Sequence, residues 1–312
     1  MTEPNKNLPS KWSDEFMFVA EPSDRDAGPK VFLLQGTPDP LGSIAAMAKM
    51  YMGQVVRNKA DVTDDERRHF LREMQNTKLK APMEAVTLHF MVEGVTRGFT
   101  HQMVRQRTAV YAQESTRFAV KRDVKGATAW PPSIAPGTQG SEIWEETWDR
   151  TLDAIDQAYN SLVDAGMPAE DARGLLPTNL LTRLNYVTNL RNLQDHAGNR
   201  LCTQAQFEWR MVWVRIIESM RDYCTCPGAD RHAESCDNWQ WQAIAALFRP
   251  VCYLTGSCQF KAEFDRKCSI RGRVDEFSAA GVPSSGWLEG DPLRRLLPIH
   301  PSEWLLDAGA AR

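Results

Sequence analysis

Residues 85–118 read Ala85-Val-Thr-Leu-His-Phe-Met-Val-Glu-Gly-Val-Thr-Arg-Gly-Phe-Thr-His-Gln-Met-Val-Arg-Gln-Arg-Thr-Ala-Val-Tyr-Ala-Gln-Glu-Ser-Thr-Arg-Phe118. Val86, Leu88, Phe90 and Val92 fall on one side at period two among strand-forming residues, so Ala85–Val92 predicts a strand with one buried face. After Gly94 the period changes. Phe99, Met103 and Gln106–Arg107 fall at helical spacing, which predicts a helix running into a loop. From Gln102 to Phe118, three arginines (Arg105, Arg107, Arg117) crowd together with Ser115, Gln102 and Gln113 among apolar side chains. Guanidinium forks bind phosphates and carbonyl oxygens bidentately, so the cluster suits a polyanionic ligand. The competing reading is a solvated, ion-paired surface.

Upstream, Lys30–Gln35 predicts a strand, Gly36-Thr-Pro-Asp-Pro a turn, and Leu41–Val55 a helix. Asp61–Gln75 predicts an amphipathic helix with Phe70, Leu71 and Met74 on its apolar side. Downstream, residues 121–140 are loop-like, and Trp144, Trp148, Leu152, Ile155, Tyr159 and Leu162 mark one helix face. Further helices are expected from Asn179 to Asp195 and from Thr203 to Tyr223, with Gly198 at the break. This divides the chain into a flexible segment over 1–29, a main domain over 30–223 and an extension over 224–312.

With 42% apolar and 25% charged residues, the composition is that of a soluble globular protein. A net charge of -3 supplies no basic field for nucleic acid. The first residues predict no signal peptide, and no apolar run approaches the roughly 20 residues that span a bilayer. An odd number of cysteines, seven, fits free thiols in a reducing cytoplasm. No GxGxxG, GxxxxGK[ST], HExxH or GxSxG occurs, which excludes the common nucleotide loops and hydrolase sites.

A second segment repeats the first one's chemistry: Ala172-Arg173-Gly-Leu-Leu-Pro177, then Asn189-Leu-Arg191, Asp195 and Arg200. Guanidiniums beside a core are costly unless something anionic compensates them. Together these residues resemble the flavin-dependent thymidylate synthase family. Its signature is Arg-His-Arg, seven residues, then Ser; here Arg105-Gln106-Arg107 and Ser115 match it with glutamine in place of histidine. Arg117-Phe118, the Arg173 and Arg191 blocks, Arg200, Thr37-Pro-Asp-Pro and Pro82-Met-Glu84 also fit, so the resemblance covers residues 30–220.

The resemblance implies an α/β (α+β) fold with a central, mostly antiparallel sheet flanked by helices, here with a cysteine-containing C-terminal extension. It implies a homotetramer with active sites shared between subunits, making dTMP from dUMP with 5,10-methylenetetrahydrofolate as carbon donor and FAD recharged by NADPH. Arg105, Gln106, Arg107, Gln113, Asn189, Arg191 and Asp195 would meet FAD. Gln102, Met103, Val104, Arg105, Gln113, Glu114, Ser115, Thr116, Arg117, Arg173 and Arg200 would meet dUMP, with Arg200 catalytic. Charge developing on a uracil ring as its C5 turns nucleophilic is what a guanidinium stabilises. Ser115 could serve as a nucleophile or as a phosphate or base contact; with no base close in sequence to activate it, the contact is preferred.

Three departures stand out. Gln106 replaces the signature histidine; Asn76–Ala81 lacks the histidine of many members; and Asp195 stands where relatives carry asparagine or histidine. The last leaves open a hydroxymethylase acting on dUMP or dCMP, and the first two a silent nucleotide-binding homologue. Cys224, Cys226, His232 and Cys236 have spacing that could hold zinc but lack a CxxC pair, so no metal is expected.

Overall fold

The computed structural model describes residues 18, 19, 21, 23–25, 27–131, 134, 142–202, 205–223 and 238–248. The four candidate zinc ligands lie outside them. In chain order the elements are β1 (Phe18–Val19), β2 (Lys30–Gly36), α1 (Pro40–Tyr51), α2 (Asp64–Asn76) and β3 (Thr87–Thr96). Then come α3 (Arg97–Met103), β4 (Val110–Gln113), β5 (Ala119–Val120), α4 (Glu142–Asp164) and α5 (Ala169–Ala172). Strand β6 (Leu181–Asn189) leads into α6 (Leu190–Arg200), followed by α7 (Phe207–Arg221) and α8 (Trp239–Ala245).

One sheet has the order β2-β3-β6-β4. Its cross-strand hydrogen bonds run from Thr37 N–H to Thr87 O, Arg97 N–H to Leu180 O, Leu190 N–H to Val86 O, and Glu114 N–H to Arg183 O. Rising numbers on one strand meet falling numbers on the next, so the neighbours are antiparallel. The fold is thus the expected mixture of helix and antiparallel sheet. The chain divides into two compact units, and β3, β4 and β6 each contribute residues to both.

In the first unit (1–29, 92–105 and 112–184), Val120, Val124 and Ala127 pack with Tyr159 and Val163 of α4, Ala169 and Ala172 of α5, and Leu180. Asp156 Oδ1 accepts the Val124 N–H at 2.6 Å, fixing the loop against α4. Strand β1 pairs in parallel with β5, and Glu21 binds Arg183 Nη1 at 2.6 Å. Gly94 has φ 68°, and a Cβ there would lie 2.6 Å from Gly28 O, so β3 can pass Gly28 only with glycine.

In the second unit (30–91, 106–111 and 185–312), Asp39 takes a left-handed conformation (φ 49°) and caps α1, accepting the Gly42 N–H at 3.1 Å. Arg67 of α2 grips both Asp39 oxygens at 2.9 Å. Burial opposes the Asp39 charge, yet hydrogen bonds from Arg67 and Gln240 hold its carboxyl below the usual carboxylate range. Helix α2 opens on a capping box between Thr63 and Glu66. Beyond residue 223, α8 is built into this unit. Trp241 is 2% exposed against Gly36, Gln240 Oε1 accepts the Leu41 N–H at 2.9 Å, and Tyr223 Oη accepts the Gly36 N–H at 2.9 Å.

Five sequence expectations need correction. Residues 181–189, expected as helix, form β6: buried Leu184, Tyr186 and Thr188 alternate with half-exposed Arg183, Asn185 and Val187 at period two. Gly198 lies buried within α6 and breaks nothing. The loop expected to follow α3 contains β4, and β3 runs past Gly94 to Thr96. Helix α1 stops at Tyr51 because Gly53 adopts φ 73°. Among the described residues no helix is long and apolar enough to cross a membrane.

A Cβ at Gly36 would lie 2.4 Å from Trp241 Cζ2. Gly36→Ala is therefore expected to lower stability by about 1–3 kcal/mol, read as a lower urea midpoint at unchanged slope.

Candidate functional site

The first unit carries most of the dUMP candidates. Thr96 Oγ1 caps α3 by accepting the Phe99 N–H at 3.0 Å. On that short helix Gln102 is exposed and Met103 buried, and Val104 and Arg105 follow exposed. Gln113 Nε2 donates to Thr100 Oγ1 at 2.9 Å, tying the end of β4 to α3.

Glu114 is engaged at every polar group. Its carboxylate accepts from Lys121 Nζ at 2.7 Å and Thr182 Oγ1 at 3.4 Å, with Arg183 Nε at 3.9 Å. Its N–H donates to Arg183 O, and its carbonyl accepts from Arg97 Nη1 at 3.2 Å. A largely shielded carboxylate needs such partners, and its side chain thus anchors the loop. Above it, Ser115 Oγ accepts the Arg117 N–H at 3.2 Å and Ser115 O the Ala119 N–H at 2.9 Å, closing a tight turn with Thr116 buried inside.

Arg117 is gripped by Glu170, Nε to Oε1 at 2.9 Å and Nη2 to Oε2 at 3.1 Å, and lies over Phe118 at 5.2 Å. Arg173, in the 3-10 turn Arg173–Leu175, is exposed with no ion-pair partner among the described residues. Arg97, absent from the sequence-derived set, belongs with them. Burial lowers its pKa, the Arg173 charge lowers it further, and only Glu114 opposes this. Two guanidiniums that oppose each other's charge make a spot suited to an anion. The signal available in the sequence was Arg97 at the strand-to-helix junction of the opening stretch.

The second unit holds the flavin candidates other than Arg105 and Gln113. Gln106 uses both ends of its amide: Oε1 accepts from Tyr186 Oη at 2.9 Å, and Nε2 donates to Asn192 O at 3.1 Å. Tyr111 Oη donates to Gln106 O at 3.1 Å, and its ring stacks on Tyr186 at 5.3 Å. Burial raises the Tyr111 phenol to about 12, so it stays a donor. A neutral histidine offers one donor and one acceptor as well; glutamine does the same without a titration. Arg107 is exposed and without an ion-pair partner among the described residues.

Asn189 caps α6 through Oδ1, accepting the Asn192 N–H at 2.9 Å. Arg191 pairs with Glu84 at 2.5 Å, and Asp195 is exposed. Arg200 ends α6 half-buried, its guanidinium 4.7 Å from the Trp209 ring centroid and its Nε donating to His196 Nε2 at 3.4 Å. Burial first, and the Arg200 charge second, lower His196 to about 4. Among the described residues no group of His, Cys, Asp and Glu could hold a metal ion.

Each unit thus presents guanidiniums and amides on capped helices and an antiparallel sheet. The family described as thymidylate synthase complementing protein matches residues 32–225, and the chain belongs to it. A flavin-dependent thymidylate synthase of Geobacter sulfurreducens is 31% identical over 196 residues, covering 62% of this chain and 82% of the relative. That of Clostridium tetani is 33% identical over 208 residues, covering 62% and 83%. A solved thymidylate synthase X from Helicobacter pylori with FAD and dUMP is more distant, 16% identical at TM-score 0.49 over 70% of this chain and 99% of that one.

His196 gives a pH signature. Unfolded, it binds a proton below its ordinary value of 6.5; folded, only below about 4. Between those values the unfolded state holds the extra proton, so stability falls as pH drops through the window. Urea midpoints from pH 7 to about pH 4 should show this fall, and His196→Gln should flatten it.

Proposed function

We propose that this protein methylates dUMP to dTMP, taking the carbon from 5,10-methylenetetrahydrofolate, with FAD recharged by NADPH. The observation that carries the reading is the state of the signature arginines. Arg105, Arg107 and Arg173 are exposed with no ion-pair partner among the described residues, while Arg200 is half-buried against an indole. Ion pairs among the described residues do not account for Arg105, Arg107 and Arg173.

The donor set fits FAD. Arg105 and Arg107 supply cations for a pyrophosphate, and the Asn189 side-chain amide, whose oxygen is spent on the cap, keeps its N–H donors for a ring edge. When bound, the reduced flavin would supply the hydride that turns the transferred methylene into a methyl group. Gln106 keeps the Arg105–Arg107 stretch in register through Tyr186 and Asn192. Arg191 would have to share its guanidinium with Glu84.

On the nucleotide side, Arg173, Arg117 and the Ser115 turn would hold the phosphate. Glu170 accepts an Nη2 hydrogen of Arg117 and pairs with its charge beside Nε, which orients the guanidinium. Glu114 supports that turn from beneath through Lys121 and Arg183. Arg200 would stabilise negative charge as it develops on the pyrimidine oxygen during attack from C5, where a low-dielectric setting strengthens the interaction. Asp195, exposed, would present an acceptor.

Assembly as a homotetramer with shared active sites is part of this reading. It is supported by exposed apolar side chains of the second unit: Phe32 on β2, and Met47, Met50, Tyr51, Met52 and Val55 in and after α1.

Anaerobic turnover of dUMP with methylenetetrahydrofolate, NADPH and FAD should give a product heavier by one CH2, a methyl group replacing the C5 hydrogen. A hydroxymethyl product, or preference for dCMP, would replace the reading with a hydroxymethylase. Arg173→Ala should weaken dUMP binding by about 10–100-fold, the loss of one charge-assisted contact, and unchanged calorimetric affinity would remove Arg173 from the phosphate site. Sedimentation should give a tetramer; an active monomer would contradict shared sites.

A further inference from the structure

Arg200 does not stand alone at the end of α6. His196 lies one turn earlier on the same helix, where i, i+4 spacing brings the two side chains together. The imidazole accepts the Nε hydrogen of Arg200 at 3.4 Å, while the ring of Trp209 on α7 underlies the guanidinium at 4.7 Å. His196 is itself seated edge-on against Trp209 at 4.8 Å and Trp213 at 6.0 Å. Both indoles are buried, 1% and 0% exposed, so the cage around the imidazole is part of the core.

Only a neutral imidazole can take that hydrogen, and burial keeps His196 neutral down to about pH 4. With Nε spoken for, the Nη hydrogens of Arg200 meet no acceptor among the described residues. An unbraced arginine has many rotamers, and a fork with one edge fixed loses less freedom on engaging a planar ligand edge.

We propose that His196 and Trp209 are positioning residues for Arg200: imidazole and indole fix the guanidinium on its Nε edge and lower face, reserving its Nη edge for the pyrimidine. This rests on the reading of Arg200 as the group that faces the nucleotide. It adds that catalysis depends on two side chains that need not touch substrate. Removing the acceptor leaves the charge in place but loosens its aim. The cost should therefore fall on the step in which charge develops rather than on nucleotide binding.

The test compares wild type, Arg200→Ala, His196→Leu and His196→Gln, each loaded with FAD. It measures dTMP formation, and dUMP affinity by calorimetry. For His196→Leu, kcat should drop by about 30-fold or more, while KM and the dUMP dissociation constant stay within about threefold. In His196→Gln the side-chain oxygen can take the place of Nε2, and kcat should recover to within about fivefold of wild type. A merely structural histidine would give no such split and no such rescue. Full turnover in His196→Leu, or a glutamine variant no better than the leucine one, overturns the proposal. Were the wild type to make no dTMP, or Arg200→Ala to keep its rate, the underlying reading would fall instead.

Discussion

An interior strand must have its backbone hydrogen-bonded on both edges, and β6 is the strand on which that requirement bears most heavily here. In the first unit its entry, Leu180, pairs with Arg97, and Arg183 pairs with Glu114. In the second unit the start of α6, Leu190, pairs with Val86. Each pairing carries a candidate site segment with it: the α3 start, the Glu114–Arg117 turn and the first turn of α6. A register slip by one residue would turn Leu184 and Tyr186 out of the core and shift the arginines with them.

The signature glutamine was the sharpest doubt the sequence raised, and its physical role is plain. Gln106 is a two-ended clamp between a tyrosine hydroxyl and a backbone carbonyl. What the position demands in this chain is one donor and one acceptor in a stacked aromatic setting, not a charge. The substitution therefore preserves the loop and removes a possible titration.

How far the sequence could be read depended on whether neighbours were local. Amphipathic segments such as Asp64–Asn76 were legible, because Phe70, Leu71 and Met74 state the helix within a few residues, although the Thr63–Glu66 cap was not read. Strand β6 was not, since Leu180, Leu181 and Leu184 are also spaced as a helix would space them. Only pairing on both sides decides for strand, and no local signal announces that. Among the proposed site residues, the arginines were legible as a pattern. Their braces, Glu170, Glu114 with Lys121, and His196 with Trp209, are ordinary residues that acquire meaning only through distance contacts. Arg97 was missed for the same reason.

The docking of α8 bears on how the chain is made. Leu41 meets its acceptor on Gln240 across 199 residues, and Gly36 meets Tyr223 across 187. At roughly 5–20 residues per second, a ribosome needs on the order of 10–40 s to deliver those partners. Throughout that interval the junction of β2 and α1 has emerged without its cover. The nascent chain thus passes through a stage in which one end of its second unit is unfinished, and shielding that stage from other chains falls to the cell.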